Sequence, residues 1–209
     1  MKLVVFCLMA VVPGSSETHG ARFAPITLYT HFEQAPPEDV MMALQDEVEA
    51  IMAPSGLSFE WRDLAKAGGR EVSTELAVVT FKGRCDTAGL MSHSRVEGAL
   101  GWTHVSDGQI LPFTDVGCDR VREFVQAGLL TLPAEDREEK YGRALGRVLA
   151  HELYHIFANT IRHGSLGVAK ESYCVQDLLA NDFQFYGKES RMLRTGRPRP
   201  GVEGTAGWM

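Results

Sequence analysis

The sequence lacks the features that mark nucleic-acid-binding and membrane-spanning proteins. It has no excess of basic residues, because 21 lysines and arginines stand against 27 aspartates and glutamates, and the formal net charge is −6. This balance argues against a nucleic acid or an anionic membrane surface as the partner. The apolar run from Leu3 to Val12 is too short to span a bilayer. Apolar residues make up 44% of the chain, which is typical of a globular domain.

Several motifs of catalysis and binding are also missing. The chain has no Gly-rich phosphate loop, no nucleophile elbow and no internal repeat. Its four cysteines show no CxxC spacing, which argues against a thiolate zinc knuckle or a dithiol redox motif. Cys85 and Cys118 lie in turn-like sequence and are candidates for one disulfide in an oxidising compartment. Cys174 is expected to be a small buried apolar side chain.

The N-terminal segment has the layout of a secretory signal. Lys2 precedes the apolar run, and Pro13-Gly14-Ser15-Ser16 ends it with small residues suited to a signal peptidase. Residues 1–16 are therefore predicted to be a signal peptide, residues 17–188 one folded domain and residues 189–209 a loosely ordered tail. The mature protein is predicted to be secreted or periplasmic, and no cysteine follows the run in the position of a lipid anchor.

Apolar periodicity predicts a domain that contains both strands and helices. Strands are expected at Ile26–Phe32, Leu57–Trp61 and Glu75–Lys82, and helices at Val40–Met52, Ala144–Ala158 and Val175–Phe185. The strand at 75–82 is apolar enough for a sheet interior. Gly98–Val116 has a central Ser-Asp-Gly turn and is expected to form a ribbon or hairpin, with Pro112 at an edge or irregular position. The fold class is therefore α+β or α/β, with one mixed twisted sheet and a helix packed against it.

The segment His151-Glu152-Leu153-Tyr154-His155 carries the clearest chemical signal. Two histidines four residues apart on a helix present both imidazoles on one face, where both can reach one ion. Glu152 is rotated by about 100° from His151, which suits a general base beside a metal-bound water better than a ligand. The preceding residues 144–150 are apolar apart from Arg147. Ionisable side chains on such a buried helix are costly without a metal or partners.

The segment GRALGRVLAHELYH, which begins at Gly142, resembles the active-site helix of the zincin metallopeptidases, and of their metzincin branch in particular. The resemblance extends over residues 142–169. It implies a mixed sheet whose edge strand holds an extended peptide substrate, and one catalytic Zn²⁺. It also implies that His151 and His155 are zinc ligands and that Glu152 is the general base. The substrate-holding edge strand is expected within Gly98–Val105.

The sequence departs from the metzincin pattern after His155. The family continues as HExxHxxGxxH, but here Ala158 takes the Gly position and Ile161 the position of the third histidine. A histidine follows two residues later, at position 163. If the helix continued, His163 would lie about 12 Å beyond His155 along the axis. Asn159 is therefore expected to end the helix in a left-handed conformation, so that His163 folds back as the third ligand.

Alternatives remain open for the third ligand and for the auxiliary residues. In the gluzincin branch an acid from the following segment is the ligand, and the candidates here are Glu171, Asp177 and Asp182. Metzincins also have a methionine beneath the metal, for which Met192 is the candidate. Further candidates are Tyr154 and Tyr173 as donors to an oxyanion, and His93 and His104 as cleft-lining side chains.

The predicted function is that of a secreted zinc-dependent endopeptidase in which residues 17–188 form the catalytic domain. Glu152 would be the general base for a zinc-activated water. The alternative is a secreted zinc-binding or interaction module that has a zincin fold and no turnover. The presence of Glu152 favours the enzyme, because a site without turnover needs no base at that position.

Overall fold

The computed structural model describes residues 24–92 and 98–195. The predicted signal peptide at 1–16 lies outside the described residues. The strands are β1 (Ile26–Gln34), β2 (Phe59–Asp63), β3 (Leu76–Arg84), β4 (Gly101–Ser106) and β5 (Gln109–Gly117). The helices are α1 (Glu38–Met52), α2 (Cys118–Leu129), α3 (Arg137–Phe157), α4 (Val175–Leu179) and α5 (Gly187–Thr195). In the part of the chain described here, no helix combines the length and the apolar character needed to cross a membrane.

The five strands form one mixed sheet in the order β2-β1-β3-β5-β4. The first four strands in this order pair in parallel, and β4 runs antiparallel to β5 at the edge of the sheet. Helices pack against the sheet, so the α+β prediction with a mixed sheet is confirmed. The predicted interior strand is also confirmed, because β3 is central and buries Ala77, Val79 and Phe81 completely. Alternate side chains of β3 are buried, as expected when one face of a strand packs on helices.

The predicted hairpin is formed by β4 and β5. Asp107 and Gly108 connect the strands and both have positive φ, 50° and 75°, the combination that suits a tight hairpin turn. Pro112 lies where the pairing register shifts, because Thr103 pairs with Thr114 whereas Val105 pairs with Ile110. The irregular position predicted for this proline is therefore confirmed. The hairpin makes β4 the outer strand beside α3.

Helix α3 packs closely against α1. A Cβ atom on Gly142 would collide with the carbonyl oxygen of Val40, and one on Gly146 would lie 2.9 Å from the carbonyl oxygen of Leu44. The two glycines therefore allow the helix backbones to approach one another. On the core side, α1 buries Leu44 and Val48, which lie four residues apart as the amphipathic pattern predicts.

A buried arginine connects α3 to α1 and α4. Arg147 is completely buried, and its Nε donates to Oε1 of Glu47 at 2.6 Å. Its two terminal nitrogens donate to the carbonyl oxygens of Asp177 and Ala180 at 2.6 and 2.7 Å. Arg143 donates to the other carboxylate oxygen of Glu47 at 2.7 Å. These bonds satisfy both the buried charges and carbonyl groups at the end of α4, which would otherwise lack partners.

One helix was missed in the sequence, and two further predictions need correction. Helix α2 was not predicted, because the sequence around Cys118 resembles a turn; the structure starts the helix there and buries Val121, Val125 and Leu129 along one face. The helix predicted for 175–185 stops at Leu179, and the chain continues without helix while burying Phe183 and Phe185 in the core. The tail predicted to be loose from residue 189 begins inside α5.

Helix α5 is attached to the body of the domain by specific contacts. Leu193 is completely buried, and the hydroxyls of Ser190 and Ser55 lie 3.0 Å apart. Arg194 donates to the carbonyl oxygen of Pro54 at 3.2 Å. Residues 196–209 of the predicted tail lie outside the described residues.

The cysteines behave differently from one another. Cys85, next to the end of β3, and Cys118, the first residue of α2, form a disulfide. Cys174 is a free and exposed thiol, so the prediction that it is buried is wrong. It lies at the N-cap of α4, where its backbone N–H donates to Oδ2 of Asp177 at 2.8 Å. The backbone therefore makes the contact at this helix end, and the thiol stays exposed.

Candidate metal centre

Helix α3 brings His151 and His155 together on one face. Both side chains are 8% exposed, and their Nε2 atoms lie 3.0 Å apart. Two ligand nitrogens at tetrahedral positions around zinc are about 3.3 Å apart, given Zn–N bonds of about 2.05 Å. The separation in the protein is therefore close to what a shared ion requires. This outcome follows from the four-residue spacing, which repeats after roughly one helical turn.

The opposite nitrogens of these two imidazoles contact backbone carbonyl groups. Nδ1 of His151 lies 2.8 Å from the Val168 carbonyl oxygen, and Nδ1 of His155 lies 2.7 Å from that of Thr160. A carbonyl oxygen only accepts hydrogen bonds, so each Nδ1 carries the proton and donates it. Both Nε2 atoms then present lone pairs to one another. Such a contact between two acceptors is unfavourable unless a cation lies beside both, and this fits a metal ion.

A reversal of the chain after α3 carries His163 to the same place. Asn159 has φ +45°, its N–H donates to the carbonyl of Ile156, and the N–H of Thr160 donates to that of His155. These two bonds and the left-handed residue form a Schellman cap, with asparagine where glycine is commoner. The predicted helix stop at Asn159 is confirmed.

The three histidines form one cluster. Ligand atoms of His151, His155 and His163 all lie within 4.8 Å of one another, and His163 is exposed whereas the other two are buried. The ring of His163 stacks on that of His151, with centroids 5.2 Å apart, and lies edge-on to that of His155 at 4.9 Å. The imidazoles predicted as ligands therefore converge. A set of three imidazoles is a donor set that suits zinc and leaves a fourth position open.

Burial keeps the two helix histidines in the neutral form that binds metals. Desolvation lowers the pKa of His151 to about 4, against a smaller upward effect of the bond to Val168. Desolvation also lowers the pKa of His155, and the neighbouring His163 contributes in the same direction. Both imidazoles are therefore unprotonated near neutral pH, and metal binding there does not have to displace a proton from them.

Glu152 lies next to the cluster and points towards the edge strand. It is 5% exposed, and the Thr103 hydroxyl on β4 donates to its Oε2 at 2.8 Å. Burial raises the pKa of the Glu152 carboxyl to about 7, although hydrogen bonds from Thr103 oppose the rise. A Cβ atom on Gly101 would lie 3.1 Å from Oε1 of Glu152, so a larger residue there would crowd the carboxyl. A carboxyl with a pKa near neutrality is matched to accept and return protons.

An open cleft of about 500 Å³ contains the histidine cluster and Glu152. Its lining includes the edge strand with the residues just before it, from Gly98 to Thr103, and the segment from Lys170 to Tyr173. Apolar side chains account for much of the lining: Leu100, Val105, Ile110, Phe124, Val148 and Ile161. Within the described residues, the cleft is therefore bounded by the outermost strand of the sheet and by an apolar surface beside the histidines.

The rival third ligands do not join the cluster. Glu171 is exposed and lines the cleft. It does not belong to the group of residues that could hold a metal ion, which consists of the three histidines. The carboxylate of Asp177 pairs with Nζ of Lys170 at 2.7 Å and caps α4. Asp182 is exposed. Of the open alternatives, the geometry favours His163.

The residues suggested as oxyanion donors, as the methionine beneath the metal and as cleft-lining histidines make contacts that differ from those roles. The Tyr154 hydroxyl points towards Sδ of Met192, 4.0 Å away, so this methionine contacts a tyrosine of α3. His104 pairs with the buried Asp115 at 2.9 Å and does not line the cleft. His93 lies outside the described residues. The Tyr173 hydroxyl lies 3.0 Å from Nδ1 of His151, and burial raises its pKa well above the ordinary value.

The sequence did not indicate which groups form hydrogen bonds with Glu152 and with the helix histidines. Thr103 lies 49 residues from the glutamate that it contacts, and an isolated threonine in a strand gives no signal of that role. The carbonyls of Thr160 and Val168 belong to the backbone, which carries no residue-specific signal at all. The Asn159 turn was the exception, because asparagine has a known preference for the left-handed conformation.

Comparisons of this chain with protein-family models, with curated proteins and with solved structures found no match. Similarity therefore assigns no family. Function has to be inferred from the side chains that converge in the cleft and from the strand that borders it.

Proposed function

We propose that this protein is a secreted zinc-dependent endopeptidase with a zincin-like, metzincin-like catalytic domain. One observation carries the proposal: two buried imidazoles present facing Nε2 lone pairs 3.0 Å apart, and a third imidazole joins them. Each buried Nδ1 is occupied by a backbone carbonyl, the usual arrangement of a metal-ligating histidine. The ligands proposed for Zn²⁺ are His151, His155 and His163.

The chemistry assigned to the site is hydrolysis of a peptide bond. Zinc bound to three imidazoles would lower the pKa of a bound water to about 7 and polarise the scissile carbonyl. Glu152 accepts the proton of the attacking water and delivers it to the leaving amine. Thr103 orients the Glu152 carboxylate through its 2.8 Å hydrogen bond. Burial of the carboxyl supports this role, because it brings the pKa into the range where protons exchange at neutral pH.

The proposed substrate is a peptide that binds in extended form along β4. Among the described strands this one is outermost in the sheet, and it borders the cleft, so its outer edge can offer backbone donors and acceptors to an added strand. The apolar lining around Leu100, Phe124 and Val148 suits an apolar side chain of the substrate. The mixed sheet, the edge strand beside the cleft and the helix that carries HExxH support the proposal of a zincin-like domain.

An extracytoplasmic location is part of the proposal. The disulfide between Cys85 and Cys118 supports it, because such bonds persist mainly in oxidising compartments. The signal-peptide pattern at residues 1–16 points in the same direction. Cleavage at Ser16 is checked by the N-terminal sequence of the exported protein.

The test compares the mature protein with E152A and E152Q. Bound zinc is measured by elemental analysis and cleavage is measured on a broad peptide mixture. We expect one zinc per chain in all three proteins and cleavage only in the native one, by analogy with the roughly 10²–10⁴-fold contribution of a general base. Equal cleavage by native protein and E152A contradicts the enzymatic assignment. Zinc binding without cleavage in any of the three supports the alternative, a secreted zinc-binding or interaction module.

A further inference from the structure

Tyr173 contacts the proposed metal ligand from the side opposite to the cluster. Its hydroxyl lies 3.0 Å from Nδ1 of His151 and donates a short hydrogen bond to the carbonyl oxygen of Val168. The same carbonyl lies 2.8 Å from Nδ1 of His151. The hydroxyl, the carbonyl and the imidazole N–H therefore form a closed triangle of hydrogen bonds.

The donors and acceptors in this triangle can be assigned. Nδ1 of His151 must carry a hydrogen, since the Val168 carbonyl can only accept. The phenol donates its hydrogen to that carbonyl. Its oxygen can therefore act only as an acceptor towards the N–H at Nδ1 of His151. With the proton on Nδ1, the Nε2 atom that faces the cluster retains its lone pair. The hydroxyl thus favours the tautomer that can bind a metal ion.

The position of Tyr173 is itself determined by α3. Tyr173 comes two residues before α4, and Arg147 holds the carbonyls of Asp177 and Ala180 at the end of that helix. Arg147 lies four residues before His151, so both side chains leave the same face of α3 in successive turns. The ring of Tyr173 also packs edge-on against Phe183, with centroids 5.4 Å apart. The phenol is therefore held in place by packing as well as by its hydrogen bonds.

We infer that Tyr173 is a positioning residue that fixes the tautomer and orientation of His151 through its hydroxyl. This inference rests on the proposed metal site and adds to it a residue with a defined role. It also revises the role considered from the sequence, because a hydroxyl engaged at Nδ1 is not directed at the Nε2 side where an oxyanion would form.

The test uses the full mature chain and the variants Y173F and Y154F. Phenylalanine keeps the ring and removes only the hydroxyl. The matched control is Tyr154, an α3 residue whose hydroxyl donates, among the residues that the structure describes, to the sulfur of Met192 at 4.0 Å. Zinc affinity is measured by chelator competition, and site geometry by the visible absorption of the Co²⁺-loaded proteins. We expect Y173F to bind zinc about tenfold more weakly. This is the lower end of the effect typical of losing a group that hydrogen-bonds a metal ligand, because the Val168 carbonyl still accepts from His151.

The outcomes separate this inference from the proposed function. Y154F should bind zinc with native affinity to within roughly twofold, far below the effect typical of an outer partner. Native affinity and an unchanged Co²⁺ spectrum in Y173F overturn the inference, even if the variant unfolds at a lower temperature when metal-free. A native chain that binds no zinc refutes the metal site instead.

A second measurement needs no variant and decides the matter if Y173F fails to fold or if the native chain binds no zinc. Nitrogen-15 spectra of the metal-free native protein, labelled at histidine, report which ring nitrogen of His151 is protonated. A proton on Nδ1 that shows a nuclear Overhauser contact with the Tyr173 hydroxyl proton supports the inference, whereas a proton on Nε2, or one on Nδ1 without that contact, overturns it.

Discussion

At the residue scale, two neighbouring side chains of α3 have opposite pKa shifts. Burial lowers the pKa of His151 from 6.5 to about 4 and raises that of Glu152 from 4.5 to about 7. Between pH 6.5 and 4, the unfolded chain binds a proton at His151 that the folded chain rejects, so acidification lowers the free energy of unfolding. Between pH 7 and 4.5, the folded chain keeps a proton on Glu152 that the unfolded chain has lost, so acidification raises it. The two contributions oppose one another.

We predict that single substitutions in the metal-free protein separate the contributions of His151 and Glu152 to the pH dependence of the free energy of unfolding. On acidification from pH 7 to 4.5, E152Q should lose up to about 2–3 kcal/mol of unfolding free energy relative to the native chain. H151Q should gain a similar amount relative to the native chain, because only the Glu152 contribution remains. Urea denaturation in the presence of a chelator at several pH values measures both. Identical pH profiles for all three proteins would refute the opposing shifts.

The identity of the third ligand is a second prediction at this scale. His163 belongs to the cluster, whereas Glu171 only lines the cleft. We expect H163A to weaken zinc binding by more than the roughly 10–100-fold caused by loss of an outer partner. E171A should bind zinc as the native protein does, since it removes no ligand. Chelator competition on both variants measures this, and the reverse ranking would assign the ligand to Glu171.

At the scale of the element, the end of α3 decides whether a third histidine can reach the other two. The Schellman cap at Asn159 turns the chain within two residues, and the Thr160 carbonyl that follows accepts from His155. The cap therefore has two effects, because it ends the helix and also supplies the carbonyl that accepts from His155, a proposed ligand. A change at position 159 should affect fold stability and metal binding together.

We predict different outcomes for alanine and glycine at position 159. N159A should lower the free energy of unfolding by about 1 kcal/mol, because a Cβ without a polar side chain is unfavourable at positive φ. It should also weaken zinc binding. N159G is the matched control and should retain both properties, since glycine adopts this conformation readily. Denaturation and zinc titration measure the two effects, and equal behaviour of the two variants would exclude backbone conformation as the cause.

The helices show how far apolar spacing predicts an element. Helix α1 was predicted because several turns in a row repeat the same apolar face, and the core part of α3 because its residues are apolar on nearly every side. Helix α2 has the same kind of face in Val121, Val125 and Leu129, but it begins directly after a strand at a Gly-Cys-Asp sequence typical of a turn. Helix α4 is shorter than predicted because Phe183 and Phe185 are buried in a non-helical segment, and local propensity does not reveal such a tertiary contact.

At the scale of the whole molecule, the disulfide closes a chain segment that contains the hairpin of β4 and β5. Cys85 and Cys118 are 33 residues apart in sequence, and β4 and β5 lie between them. The bond joins the region after β3 to the start of α2. It therefore restricts the unfolded chain in the region that borders the cleft.

We predict that the double variant C85A/C118A loses about 3–4 kcal/mol of unfolding free energy, the loss of entropy expected for a loop of this length. C174A should be close to neutral, because this thiol is free and exposed. Chemical denaturation under non-reducing conditions measures both changes. A native chain that unfolds at the same denaturant concentration with and without reductant would contradict the prediction.

The sequence by itself determined the local features of the candidate site. A four-residue spacing places two imidazoles on one helix face whatever surrounds the helix, and asparagine permits the turn that follows. Only the tertiary structure decided that His163 joins them, that Thr103 reaches Glu152 and that Tyr173 and Val168 meet Nδ1 of His151. These contacts join separate segments, and Thr103 and Glu152 are 49 residues apart. Their formation depends on how α3, α4 and the edge strand pack, which spacing along the chain does not specify.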